Sequence, residues 1–230
     1  MITSTDMQEG PSQDLRSRVL GAARAEPAPT RPQTQRRAAL LLLAAFATSL
    51  ATFWLVGGVR IGGNNAGTLT ERPTTLVLAT ALGTALLAFL VAWIAFARGR
   101  SALGRPRVWL AGVALASPAL LLLWKVSVSA QVPHMMDRWS ERVGLRCLPL
   151  SLAIGVFPLV AFVLARRGSD PVHPVALGAA LGAASGTLAA SLVDLWCPVA
   201  YLPHLLLGHV LPLVLLTLAG ALWGARSLRP

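Results

Sequence analysis

Residues 74–97 read TTLVLATALGTALLAFLVAWIAFA, an apolar run without a charged side chain from end to end. A helix needs roughly 20 such residues to cross the hydrocarbon core of a bilayer, since each adds only about 1.5 Å of rise. Inside lipid every backbone N–H and C=O must be satisfied within the segment, and an α-helix does this. Apolar runs of similar length occupy residues 38–58, 108–128, 147–165, 175–196 and 202–224, with Lys125 the one charged residue in 108–128 and Asp194 the one in 175–196. The expected fold class is an all-α membrane protein with six transmembrane helices and short loops. A short tail, residues 1–37, precedes the six-helix domain of residues 38–224, and residues 225–230 follow it.

The composition agrees. Hydrophobic types make up 55% of the 230 residues and charged types only 13%, about half the usual share for a soluble domain. The net charge of +11 could suggest nucleic acid. Here, however, the arginines sit in short clusters between apolar runs, the pattern of membrane-flanking charge. The lipid bilayer is therefore the expected environment, and no direct contact with nucleic acid is expected. Trp54, Trp93, Trp109, Trp124, Trp196 and Trp223 lie near segment ends, like an aromatic belt. Lys125 falls near the end of the third run, from where its ammonium can snorkel to the interface. The first run is longer than a signal-peptide core and its lead is long, so it is read as a retained helix.

Of the 20 basic residues, fourteen fall in one set of alternate compartments and six in the other. The positive-inside rule places the larger set, and with it both termini, in the cytoplasm. Within the tail, Ser12 is a candidate cap for a helix over residues 13–24, on which Leu15 and Val19 would form a narrow apolar stripe beside Arg16 and Leu20. Pro27, Pro29 and Pro32 then make a stiff linker. Such a segment reads either as a solvated tail or as a docking helix that folds on binding.

Cys147 opens the fourth run and Cys197 closes the fifth. Consecutive spans are antiparallel, so both thiols meet the same, outer side at one depth, where disulfides can persist. A redox or metal-sensing pair is the sharper reading; inert packing or a static disulfide is the plainer one. His204 and His209 follow, and His134 lies in the loop before Cys147. Two thiolates with imidazoles suit a soft metal, although the spacing is no recognised ligand motif. Five apart, His204 and His209 do not share one face of an α-helix, which argues against haem. Asp194 is the acid within a span and hence a functional candidate, with Arg146 or a histidine as its expected partner. Gly178, Gly182 and Gly186 recur at every fourth position and allow close helix approach. No nucleophile–base pair, phosphate loop or metalloprotease motif is present in the sequence, so neither an enzyme nor a cofactor is expected.

The layout resembles the NrsF-type negative regulators of sigma factors, six-span anti-sigma factors of the bacterial inner membrane. The resemblance rests on Arg146-Cys147-Leu148-Pro149-Leu150, the Gly-rich residues 176–186, Asp194-Leu195-Trp196-Cys197-Pro198 and residues 204–209, and is strongest over residues 141–224. A CarR-like, light-responsive anti-sigma factor of myxobacteria has a similar size and layout. The resemblance implies that Cys147 and Cys197 serve a stress or metal response. It also implies that the tail grips an extracytoplasmic-function sigma factor; no sharp motif carries that role onto single residues, and Leu15, Arg16, Val19 and Leu20 are candidates from the stripe alone. The tail lacks the His/Cys zinc motif of soluble anti-sigma domains. A small six-span transporter or channel, lined by Asp194, His209 and Ser185, is the competing reading.

Overall fold

The computed structural model describes residues 31–56, 58, 74–96, 106–131, 144–167, 172–197 and 199–228, together with Asp14, Ser17, Arg18 and Gly21. The described residues hold six helices long and apolar enough to cross a membrane, and no strand. They are α1 (Arg31–Val56), α2 (Thr74–Phe96), α3 (Arg107–Gln131), α4 (Cys147–Ala165), α5 (Pro174–Trp196) and α6 (Leu202–Ser227). The six-span, all-α architecture expected from the run lengths is therefore observed. The boundaries shift where helix outlasts hydrophobicity. α1 begins at Arg31, before the apolar run, and α3 continues past 128 to Gln131. α1 stops where Gly58 takes φ 62°, its N–H bonding the Phe53 carbonyl at 3.0 Å, as a left-handed glycine does after a helix end.

The chain divides into two compact units, Met1–Arg37 and Ala38–Pro230. In the first, the described residues Asp14, Ser17, Arg18 and Gly21 are helical and exposed, with an Arg18–Asp14 ion pair at 3.0 Å. Leu15, Arg16, Val19 and Leu20 lie outside the described residues.

In the second unit α5 is central: 72% of its apolar span is buried, against 17% for α1. It can sit there because its side chains are small. Gly178, Gly182 and Gly186 face α6, and added Cβ atoms there would strike the Gly220 and Leu216 carbonyls and the Leu213 side chain. α6 answers with Gly220 and Gly224, whose Cβ positions would fall 2.9 Å from the Gly182 Cα and 2.8 Å from the Gly178 Cα. The two backbones therefore touch through a double glycine seam, the packing by which helices associate in lipid. Polar side chains tie other helices to this pair. Ser191 donates to the Ala81 carbonyl at 2.8 Å, linking α5 to α2, and Ser49 donates to the Ile154 carbonyl at 2.9 Å, linking α1 to α4.

The polarity of the bundle is inverted relative to a water-soluble protein. Leu82, Phe89, Trp93, Leu115, Leu123 and Leu222 point outward and are exposed, whereas Lys125, Asp194, His204 and His209 are buried. Large apolar side chains on the surface with ionisable groups inside are what a lipid solvent favours. The protein is a multi-pass membrane protein.

Candidate functional site

The site forms where α4 starts, α5 ends and α6 begins. Cys147 is the first residue of α4. Gly144, at φ 75°, turns the chain into that helix, and Leu148 N–H closes the turn on the Gly144 carbonyl at 2.9 Å. A Cβ at Gly144 would meet the His204 carbonyl oxygen at 2.9 Å, and one at Gly208 would meet the Cys147 Cβ at 2.7 Å. The two glycines thus let the start of α4 lie directly on α6. Gly144→Ala is expected to cost about 1–2 kcal/mol for the left-handed backbone alone. Displacing α4 from α6 should add to this. Thermal unfolding in detergent, with the rate of Cys147 alkylation read alongside, tests both parts.

Cys197 caps the end of α5, its N–H on the Val193 carbonyl at 2.8 Å. Neither cysteine is in a disulfide, and both are buried. Nε2 of His204 lies 3.3 Å from Sγ of Cys147 and 3.0 Å from Sγ of Cys197, so one imidazole nitrogen reaches both thiols. Cys197 stands in the turn after α5, outside the span. Hydrogen bonding from Cys147, against the opposing effect of burial and with help from His204 and His209, holds its thiol well below the ordinary value. That favours the thiolate, the form of cysteine that reacts and binds metals.

His209 joins this cluster by way of an irregular helix. Residues Leu206–Val210 form a π-helical turn within α6, with Ser151 donating to the Gly208 carbonyl at 2.9 Å. The reading that His204 and His209 stand on different faces assumed an unbroken α-helix and is corrected here. The wide turn brings their rings to 5.8 Å between centroids. One donor atom each from Cys147, Cys197, His204 and His209 lies within 4.8 Å of the others, and all four residues are buried. Short π-turns inside α-helices often mark functional positions.

Behind the cluster lies a buried charge pair. Lys125 of α3 is ion-paired and hydrogen-bonded to Oδ1 of Asp194, and both side chains are fully buried. Lys125 therefore does not snorkel to the interface. Because α3 runs on to Gln131, its ammonium sits well inside the helix, and a carboxylate 69 residues away neutralises it. Taking either charge alone out of water would cost several kcal/mol, which pairing offsets. Nδ1 of His209 lies 3.0 Å from the same Oδ1, off the hydrogen-bonding direction. Asp194 thus faces a lysine and a histidine, and Arg146 is an exposed residue preceding α4. Ser185 hydrogen-bonds within α5 to the Leu181 carbonyl at 2.9 Å. Sequence reasoning passes over Gly144, Gly208 and Phe53, and it assigns Lys125 to the interface rather than to the site. The signal for Lys125 was present, since it is the only lysine and lies in a span.

Phe53 connects the site to the first helix. It is buried in one apolar cluster with Cys147, Leu150, Ile154, Val193 and Cys197. The thiols therefore share a packed core with α1.

A family model described as NrsF, negative regulator of sigma F, matches residues 22–229. Comparisons with curated proteins and with solved structures give no match. The family match leaves only the first residues and the last one outside it, so this multi-pass chain, with its buried thiol and imidazole cluster, belongs to the NrsF family of negative regulators of a sigma factor.

Proposed function

We propose that the protein is an anti-sigma factor of the bacterial inner membrane that holds an extracytoplasmic-function sigma factor through its cytoplasmic tail and releases it on a thiol-directed signal. The observation that carries this reading is the packing of Phe53 against the core that holds Cys147 and Cys197. α1 is the helix that follows the tail in sequence, so a change at the thiols is felt by the span next to the sigma-binding segment. The excess of arginine around alternate loops supports both termini being cytoplasmic and the thiols lying toward the outer face. The candidate grip is Leu15, Arg16, Val19 and Leu20.

Two signals suit the thiols. A peroxide would join Cys147 and Cys197, taking two electrons and two protons to leave a disulfide and two waters. A soft metal would instead displace the two thiol protons. Moving a sigma factor from mostly bound to mostly free takes roughly 3–5 kcal/mol of coupling, and a disulfide is worth about that.

Two measurements test the reading. Full-length protein in detergent should capture the sigma factor encoded beside its gene, and Leu15→Asp with Val19→Asp should abolish capture. In cells, Cys147→Ser with Cys197→Ser should leave a sigma-dependent reporter silent under cadmium or peroxide. A double serine variant that still induces normally would remove the thiols from the mechanism. Wild-type protein that captures no sigma factor would remove the proposed partner.

A further inference from the structure

We propose that Cys147, Cys197, His204 and His209 form a site for one divalent, borderline-soft cation of the zinc or cadmium class, with Asp194 as the carboxylate that orients His209. This deepens the sensing half of the reading above by naming the ligand of the same site.

The donor set comes first. Two sulfurs and two imidazole nitrogens are the ligands preferred by tetrahedral zinc-like ions. With metal–sulfur bonds of about 2.3 Å and metal–nitrogen bonds of about 2.0 Å, a tetrahedron holds its donors roughly 3.3–3.8 Å apart. Sγ of Cys147 and of Cys197 already lie 3.3 Å and 3.0 Å from Nε2 of His204. All four donors fall within 4.8 Å of one another, so closure on an ion requires side-chain shifts of about an ångström or less.

Charge points to a divalent ion. Two thiolates and two neutral imidazoles carry two negative charges, which a divalent cation cancels. The neighbouring Lys125–Asp194 pair is already balanced. The whole buried cluster is then neutral, as low-dielectric surroundings demand. A monovalent ion would leave one negative charge uncompensated.

His209 supplies the independent observation. It is buried, 1% exposed, and neither ring nitrogen has a partner in good hydrogen-bond geometry among the described residues, although the Cys197 thiol is near enough to be stabilised by the ring. A buried ring nitrogen without a partner costs free energy unless something binds it. Nδ1 lies 3.0 Å from Oδ1 of Asp194 but off the hydrogen-bonding direction; a modest rotation of the ring would let it donate there and leave Nε2 for the ion. A metal-bound histidine usually gives its other N–H to a carboxylate, which fixes the tautomer and the ring. The π-turn Leu206–Val210 places the ring there, so the irregular helix acquires a purpose.

The test uses reduced full-length protein in detergent, titrated with Co2+ as a spectroscopic probe and then with Zn2+ or Cd2+ as competitor. The expected result is one Co2+ per chain with intense tetrahedral ligand-field bands and sulfur-to-metal charge transfer, all displaced by the competitor. Cys147→Ser and Cys197→Ser should each lose most of the charge-transfer band. His209→Gln should weaken binding at least tenfold. Asp194→Asn paired with Lys125→Met, which keeps the buried charge balanced, should weaken it about 10–100-fold. A weak, six-coordinate cobalt spectrum from wild-type protein would overturn the proposal, whatever the variants do. Unchanged affinity in folded His209→Gln would overturn the four-donor set. No sigma factor enters this assay, so its failure leaves sigma capture standing, and failed capture leaves the metal site standing.

Discussion

Replacing Lys125 with Met should destabilise the bundle by about 3–5 kcal/mol, because the substitution leaves the Asp194 carboxylate as an uncompensated charge in the interior. Both side chains are fully buried, and Nδ1 of His209 lies 3.0 Å from the same carboxylate oxygen. Asp194→Leu alone should cost a similar amount by stranding the ammonium. The double variant, Lys125→Met with Asp194→Leu, should recover most of the loss, since two apolar side chains of similar volume often replace a buried ion pair at little cost. Thermal unfolding of the four proteins in one detergent completes the cycle. Additive losses would mean that the pair is held apart by water and that its burial does not govern stability. The double variant also separates fold from signal. If it folds but fails to respond to metal, Asp194 serves the site rather than the scaffold.

The second large effect belongs to the α5–α6 seam. Gly178→Val or Gly220→Val should cost about 3 kcal/mol or more, the upper range for overpacking. In both cases the new side chain meets backbone: from Gly178 the Gly220 carbonyl and the Gly224 Cα at 2.8 Å, and from Gly220 the Gly178 carbonyl and the Gly182 Cα at 2.9 Å. Backbone within a helix cannot rotate away as a side chain can. Gly83→Ala is the control. It lies on α2 with nothing within 4 Å of its Cβ position, and the better helix propensity of alanine should make it neutral or slightly stabilising. Equal losses at Gly83 and Gly178 would show that glycine content, not close approach, holds the seam.

The six spans were legible in the sequence because run length is dictated by bilayer thickness alone. Residues 147–165 could be bounded to the residue, since a basic side chain flanks each end. The small-residue spacing at Gly178, Gly182 and Gly186 was equally plain, and Gly220 and Gly224 repeat it on the helix that faces them. What could not be read was pairing between distant positions. Nothing local to Lys125 announces Asp194, and a lysine near an apparent helix end is ordinarily free to reach the interface. His204 and His209 were separated by assuming α-helical periodicity through a stretch, Leu206–Val210, that departs from it. Leu15 and Val19 lie outside the described residues, so their stripe rests on periodicity alone.

On a helical wheel, α6 carries one residue too many between its two imidazoles. In a regular α-helix, positions five apart are about 140° out of phase. The π-turn Leu206–Val210 absorbs the surplus and brings them back into phase. Shortening that turn by a single residue would therefore swing His209 away from the thiols and from Asp194 while every named side chain of the cluster stayed in the chain. Registry, and not only composition, is what makes this a four-donor cluster.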